Sequence, residues 1–111
     1  YDILGGTGVN TITGSDNGDV IDGAAGNDII NGGNHDDLIT GGAGLDTING
    51  DAGGDIFRIT LQADIVAGES YTGGLGRDTL DLETAVAMDI STLAIAADVE
   101  RLEANGAVTL S

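Results

Sequence analysis

Along residues 5–58 a large apolar side chain recurs at every ninth position: Ile12, Ile21, Ile30, Ile39, Ile48 and Phe57. Each is the eighth residue of a nine-residue unit, and the units follow one another without a gap as GGTGVNTIT, GSDNGDVID, GAAGNDIIN, GGNHDDLIT, GGAGLDTIN and GDAGGDIFR. A period of nine fits neither a heptad nor the 3.6-residue turn of an amphipathic helix. Glycine at this density would also cost a helix about 1 kcal/mol per residue against alanine. The first six residues of each unit predict a turn, because glycine supplies backbone angles that other residues resist. Position one is glycine in every unit. At position four the departures from glycine are Asn17 and His35, residue types enriched at positive φ. The last three residues predict a short strand with one inward side chain between two outward ones. A turn and a strand repeated in tandem predict a solenoid.

Beyond Arg58 the pattern weakens. Residues 59–67 align as a degenerate unit with Asp64 at position six and Val66 at position eight, followed by an inserted loop at 68–72. Residues 73–81, GGLGRDTLD, restore a full unit with Asp78 at position six and Leu80 at position eight. From Leu82 onward glycine nearly disappears, and alternation predicts longer strands in 87–91, 99–103 and 108–111. The alanine-rich stretch 83–98 is also compatible with a short helix. The chain thus divides into a repeat block (1–58), a transitional segment (59–81) and a strand-rich C-terminal extension or cap (82–111).

Composition narrows the function classes. There is no cysteine and no proline, and only 3% of residues are aromatic, which excludes a disulfide framework and thiol chemistry. The chain opens at Tyr1 inside a partial unit and closes on the strand-like 108–110, as expected of a segment excised from something longer. No apolar run is long enough to span a membrane. A net charge of −16, with three arginines and no lysine, argues against nucleic acid or an anionic membrane as partner.

The acidic residues are ordered. Position six carries Asn10, Asp19, Asp28, Asp37, Asp46 and Asp55 in turn. If successive strands alternate between two facing sheets, units two apart stack. One edge then carries Asp19, Asp37 and Asp55, and the other Asn10, Asp28 and Asp46. Asp78 would follow Asp55, and Asp64 would follow Asp46. Stacked carboxylates repel unless a cation sits between them. An all-oxygen set of carboxylates and turn carbonyls favours Ca²⁺ over the strictly octahedral Mg²⁺. His35 reads as an exposed turn residue, and the three arginines as scattered surface charges. At position seven, Val20, Leu38 and Ile56 would form an outward apolar stripe on one sheet, available to the C-terminal extension or a neighbouring chain.

The unit GGAGLDTIN at 41–49 resembles the G-G-x-G-x-D-x-U-x nonapeptide of the RTX (repeats-in-toxin) family, and tandem copies make the resemblance specific. It implies a right-handed parallel β-roll, an all-β solenoid, with several Ca²⁺ ions held between coils by position-six side chains and turn carbonyls. Asn10 offers only a neutral amide there, so an Asn10/Asp28 site would be weaker. The reading that follows is a non-catalytic, calcium-binding structural module of a secreted or cell-surface bacterial protein, folding as it binds calcium. It would serve as a spacer or assembly unit in an adhesin, surface layer or filament, with self-association or neighbouring modules as partners. The resemblance also implies type I secretion. The alternative is an accessory module of a secreted protease, lipase or polysaccharide-modifying enzyme.

Overall fold

The computed structural model describes residues 2–60, 64–83, 88–96, 98–104 and 108–109. Each nonapeptide ends in a strand of the eighth-position pattern: β1 (Asp2–Leu4), β2 (Thr11–Thr13), β3 (Val20–Asp22), β4 (Ile29–Asn34), β5 (Leu38–Thr40), β6 (Thr47–Ala52) and β7 (Ile56–Ile59). They are followed by β8 (Ser70–Leu75), β9 (Asp78–Leu82), β10 (Met88–Asp89), β11 (Ala94–Ile95), β12 (Val99–Ala104) and β13 (Val108–Thr109). From β1 to β9 odd and even strands part company. One sheet runs β1-β3-β5-β7-β9-β12 and the other β11-β8-β6-β4-β2, every pairing parallel. The chain is an all-β parallel solenoid, a β-roll, in which each coil comprises two nonapeptides, with further strands beyond the repeats.

The eighth-position residues set the register. Ile3, Ile21, Ile39, Phe57 and Leu80 align across one sheet, and Ile12, Ile30, Ile48 and Tyr71 across the other. Ile30, Ile39, Ile48 and Phe57 are wholly buried. Their neighbours on each strand point outward, as in the exposed-buried-exposed pattern of β2 and β3, so a one-residue slip would expose the whole row. Phe57 and Tyr71 meet across the interior with ring centroids 5.7 Å apart. Ile59, Leu82 and Ile90 extend the core past the repeats.

Two expectations about the middle of the chain need correction. Residues 64–67 do not form the strand of a degenerate unit. Ser70, Tyr71 and Thr72 pair with Thr47, Ile48 and Asn49 instead. The extra residues therefore lie before this strand, in the turn after β7, and Glu69 rather than Asp64 follows Asp46. The physical reason is the core: Tyr71 fills the slot under Ile48 with a large ring, whereas Val66 is only half-buried. In the C-terminal extension, β12 continues the first sheet through Leu102 opposite Leu80, β11 adds to the second sheet, and β10 pairs with β13. The described part of 83–98 contains strands β10 and β11 and no helix; 84–87, 97 and the end of the expected last strand, 110–111, lie outside the described residues.

Position seven is outward as expected: Val20 and Ile56 are exposed and Leu38 half-buried, in register across β3, β5 and β7. In the turns, His35 has φ of 71°, but Asn17 does not adopt positive φ. Among the described residues the other non-glycine positions that do, Ala24 and Asp51, stand at position two, where Gly33, Gly42 and Gly74 also have positive φ.

Candidate metal centre

The turns place position six at the base of each strand, and the stacking of coils turns a sequence interval of eighteen into direct contact. The Asp37 carboxylate accepts a hydrogen bond through Oδ1 from the backbone N–H of Asp19 at 2.7 Å. Asp46 accepts likewise from Asp28 at 2.9 Å, Asp55 from Asp37 at 2.9 Å, and Asp28 from Asn10 at 2.8 Å. Across the longer turn Asp78 accepts from Asp55 at 2.9 Å. Asp19, Asp37, Asp55 and Asp78 thus line one edge of the solenoid, the Asp19 edge. Asn10, Asp28 and Asp46 line the other, the Asn10 edge.

Only one oxygen of each carboxylate is used this way. Oδ2 of Asp28, Asp37, Asp46, Asp55 and Asp78 is buried without a hydrogen-bond partner. An unsatisfied buried oxygen normally costs free energy, and a charged one more, yet here the same atom is left over coil after coil. The position-one glycines make room for it. A Cβ built on Gly23 would lie 2.6 Å from Asp28 Oδ2 and 2.6 Å from the carbonyl oxygen of Gly41 in the next coil; on Gly32 it would lie 2.5 Å from Asp37 Oδ2 and 2.8 Å from Gly50 O. Any side chain at position one would collide with both oxygens.

Electrostatics follow from this crowding. Burial, with the neighbouring Asp37 and Asp78 carboxylates adding to it, pushes Asp55 up to about 7 against the hydrogen bond that holds it down. Asp37, Asp46 and Asp78 are raised as well, burial being the main cause in each. Asp19 is lowered, because the Ser15 N–H donates to its Oδ2 at 2.6 Å. The row of carboxylates therefore resists holding its full negative charge without a counter-cation.

Asn10 shows what satisfies such a turn. Its Nδ2 donates to Gly8 O at 2.7 Å, Gly6 O at 3.3 Å and Asp28 Oδ1 at 3.2 Å. The carbonyls of positions two and four and the carboxylate of the next coil converge on one electropositive group. Among the described residues no three carboxylate or imidazole side chains cluster as a metal site. A cation on either edge would take carboxylates from successive coils and complete its shell with turn carbonyls. That is the ligand chemistry of Ca²⁺.

A family model described as the RTX calcium-binding nonapeptide repeat, four copies long, matches residues 4–37 and again 25–57. The repeat block is an RTX array. The RTX repeat is a structural, non-catalytic unit that binds calcium through aspartate-rich turns, and this chain's block is a calcium-binding structural module. Searches of curated proteins and of solved structures return no match.

The RTX frame also explains the residues that motif reading missed. Counted backward from Gly73, the unit 64–72 puts Glu69 at position six and Tyr71 at position eight, so ESYTGG at 69–74 reads like DIINGG at 28–33. Counting forward from Arg58 hides this, because the five extra residues shift the frame. Glu69 is buried, and both its oxygens are engaged: Oε1 by the Tyr71 hydroxyl at 2.7 Å and Oε2 by the Val66 N–H at 3.2 Å. Asp64 is half-buried outside the stack, with Thr60 Oγ1 3.5 Å from its Oδ2.

Proposed function

We propose that this RTX module is an extracellular, calcium-dependent spacer or assembly unit, belonging to a secreted or cell-surface protein such as an adhesin, a surface layer or a filament. The observation that carries the proposal is the row of unpartnered, buried Oδ2 atoms along the two edges. Ions between Asp19 and Asp37, Asp37 and Asp55, Asp55 and Asp78, and Asp28 and Asp46 satisfy them. The Asn10 amide already occupies the equivalent place at its own step, which makes that step the weakest. Coil-on-coil stacking supports the spacer role, since each added pair of repeats lengthens the rod by one strand spacing, about 4.8 Å. The outward Val20 and Ile56 support self-association or contact with a neighbouring module.

Without a cation the aspartate rows repel across a thin interior, so folding is coupled to binding, as in other small metal-dependent domains. Extracellular calcium modules bind at about 10⁻⁴ to 10⁻³ M, which leaves the segment unloaded and unfolded in a calcium-poor cytosol and folded outside it. The test is a Ca²⁺ titration of chelated protein followed by circular dichroism and light scattering, with Mg²⁺ as control. A calcium-specific coil-to-β transition is expected, with scattering rising if the module assembles. A β-signal that is full in chelator and indifferent to calcium overturns the coupling.

A further inference from the structure

The Asp19 edge does not stop at the last nonapeptide. The backbone N–H of Asp78 donates to Oε2 of Glu100 at 2.8 Å, the same bond that Asp55 N–H makes to Asp78 Oδ1 at 2.9 Å. Glu100 immediately precedes Arg101, which pairs with Thr79 as Thr79 pairs with Ile56. Val99 is the residue opposite Asp78, and Glu100 brings its carboxylate to the Asp78 N–H as a position-six side chain would. The register shift between Val99 and Arg101 leaves Glu100 as one extra residue on β12. Asp98 takes the place of the position-one glycine. A Cβ on Gly73 would meet Asp78 Oδ2 and, at 2.7 Å, the Asp98 carbonyl oxygen, just as one on Gly50 would meet Asp55 Oδ2 and, at 2.8 Å, Gly73 O. The Asp98 carboxylate is committed elsewhere, accepting from Gly73 N at 3.0 Å and Gly74 N at 2.9 Å, which pins the extension onto the turn.

We infer that the C-terminal extension contributes a divalent-cation site of its own at the end of the Asp19 edge, formed by the Asp78 and Glu100 carboxylates with turn carbonyls, and that calcium there fastens β12 to the repeat block. The inference rests on the calcium-binding reading of the repeats and extends it to residues outside any nonapeptide. Asp78 is fully buried and its Oδ2 has no partner, so the unsatisfied oxygen continues to this step. Gly74 and Gly76 stand at positions two and four of the unit that carries Asp78, as Gly6 and Gly8 do in the unit that carries Asn10. The opposite edge gives the contrast. There Glu69 has both oxygens engaged by Tyr71 and Val66. The residue after it in the stack is Leu93, just before Ala94 pairs with Ser70. That edge closes without a site, whereas on the Asp19 edge Asp78, next to Glu100, keeps an unpartnered Oδ2.

The test uses the whole chain. Calcium stoichiometry is measured by titration calorimetry, and amide exchange is followed across 99–104, for the natural protein and for Glu100→Gln. Glutamine keeps an acceptor for the Asp78 N–H and removes only the charge. The expected result is one bound ion fewer and at least about tenfold faster exchange in β12 at saturating calcium, with β3, β5 and β7 unchanged. Equal stoichiometry and equal β12 protection in the variant overturn this inference and leave the repeat reading standing. Absence of calcium binding by the natural protein overturns both. Should Glu100→Gln fail to fold, exchange in the natural protein decides. Protection of β12 must rise with calcium, and β12 amides indifferent to calcium while β3 to β7 respond refute the site.

Discussion

The two edges of the solenoid are built from the same repeat, yet from Asp19 onward only one keeps a carboxylate at every step. The Asp19 edge carries Asp19, Asp37, Asp55, Asp78 and then Glu100, linked by backbone-to-carboxylate bonds of 2.7 to 2.9 Å. The Asn10 edge begins with an amide that fills its own turn and ends with a glutamate tied up by a tyrosine hydroxyl. The interior shows no such asymmetry, since Ile30 on one sheet and Ile39 on the other are equally buried. Hydrophobic register and edge chemistry are thus separable in this fold: position eight packs the coils together on both sides, while position six sets the oxygen groups that each edge presents.

The largest expected effect tests the symmetric half of that comparison. Ile30→Ala and Ile39→Ala should each destabilise the calcium-loaded module by about 2–5 kcal/mol, and by similar amounts, as read from denaturant midpoints. A large difference between them would show that the sheets are not equivalent.

The next effect separates the edges. Asp37 stands between two carboxylates, Asp19 and Asp55, whereas Asp46 stands between Asp28 and the engaged Glu69. Asp37→Asn should weaken overall calcium affinity by about tenfold or more, roughly 1.4 kcal/mol, and Asp46→Asn by less. Calorimetric titration that ranks them the other way breaks the comparison.

Proton linkage sharpens it further. In chelator, Asp55 and Glu69 titrate near 7 when folded and near about 4 when unfolded. The folded chain therefore holds protons more tightly than the unfolded one over this range, and stability falls as pH rises from about 4 to about 7. Residual structure in chelator, followed by circular dichroism, should be greatest at the acid end, and calcium should become more necessary toward neutrality. A β-signal in chelator that grows with pH would contradict the burial of these carboxylates.

Asn10→Asp is the smallest change. It replaces the amide that bridges Gly6, Gly8 and Asp28 and should add about one weak ion at the first step of its edge, visible as a rise in stoichiometry with little shift in the main transition. An unchanged ion count would mean that Asn10 is not what closes that step.

Much of this was legible in the chain itself. The nine-residue spacing of Ile12 through Phe57 fixes coil length, strand position and inward face, since only one residue of each strand can face a partner sheet. The spacing of Asp19 through Asp55 likewise fixes which carboxylates stack once strands alternate between sheets. Legibility failed at the turn after β7. Read forward from Arg58, Asp64-Ile65-Val66 and Glu69-Ser70-Tyr71 both offer an acid followed by a strand, and only the Gly73-Gly74 pair after Thr72 restores the frame that the insertion shifts.

The sequence by itself determined a two-sheet parallel solenoid with acidic edges, because tandem periodicity repeats the same local choice until only one stacking satisfies all copies. Only the tertiary structure decided that Glu69 replaces Asp64, that Asp28, Asp37, Asp46, Asp55 and Asp78 each spend one oxygen on a neighbour's backbone and keep the other unpartnered, and that Glu100 prolongs one edge. Those outcomes depend on which ring fits under Ile48 and which side chain a bulge brings to the Asp78 N–H. They are contacts between residues eighteen or more positions apart, set by packing and reach rather than by local sequence.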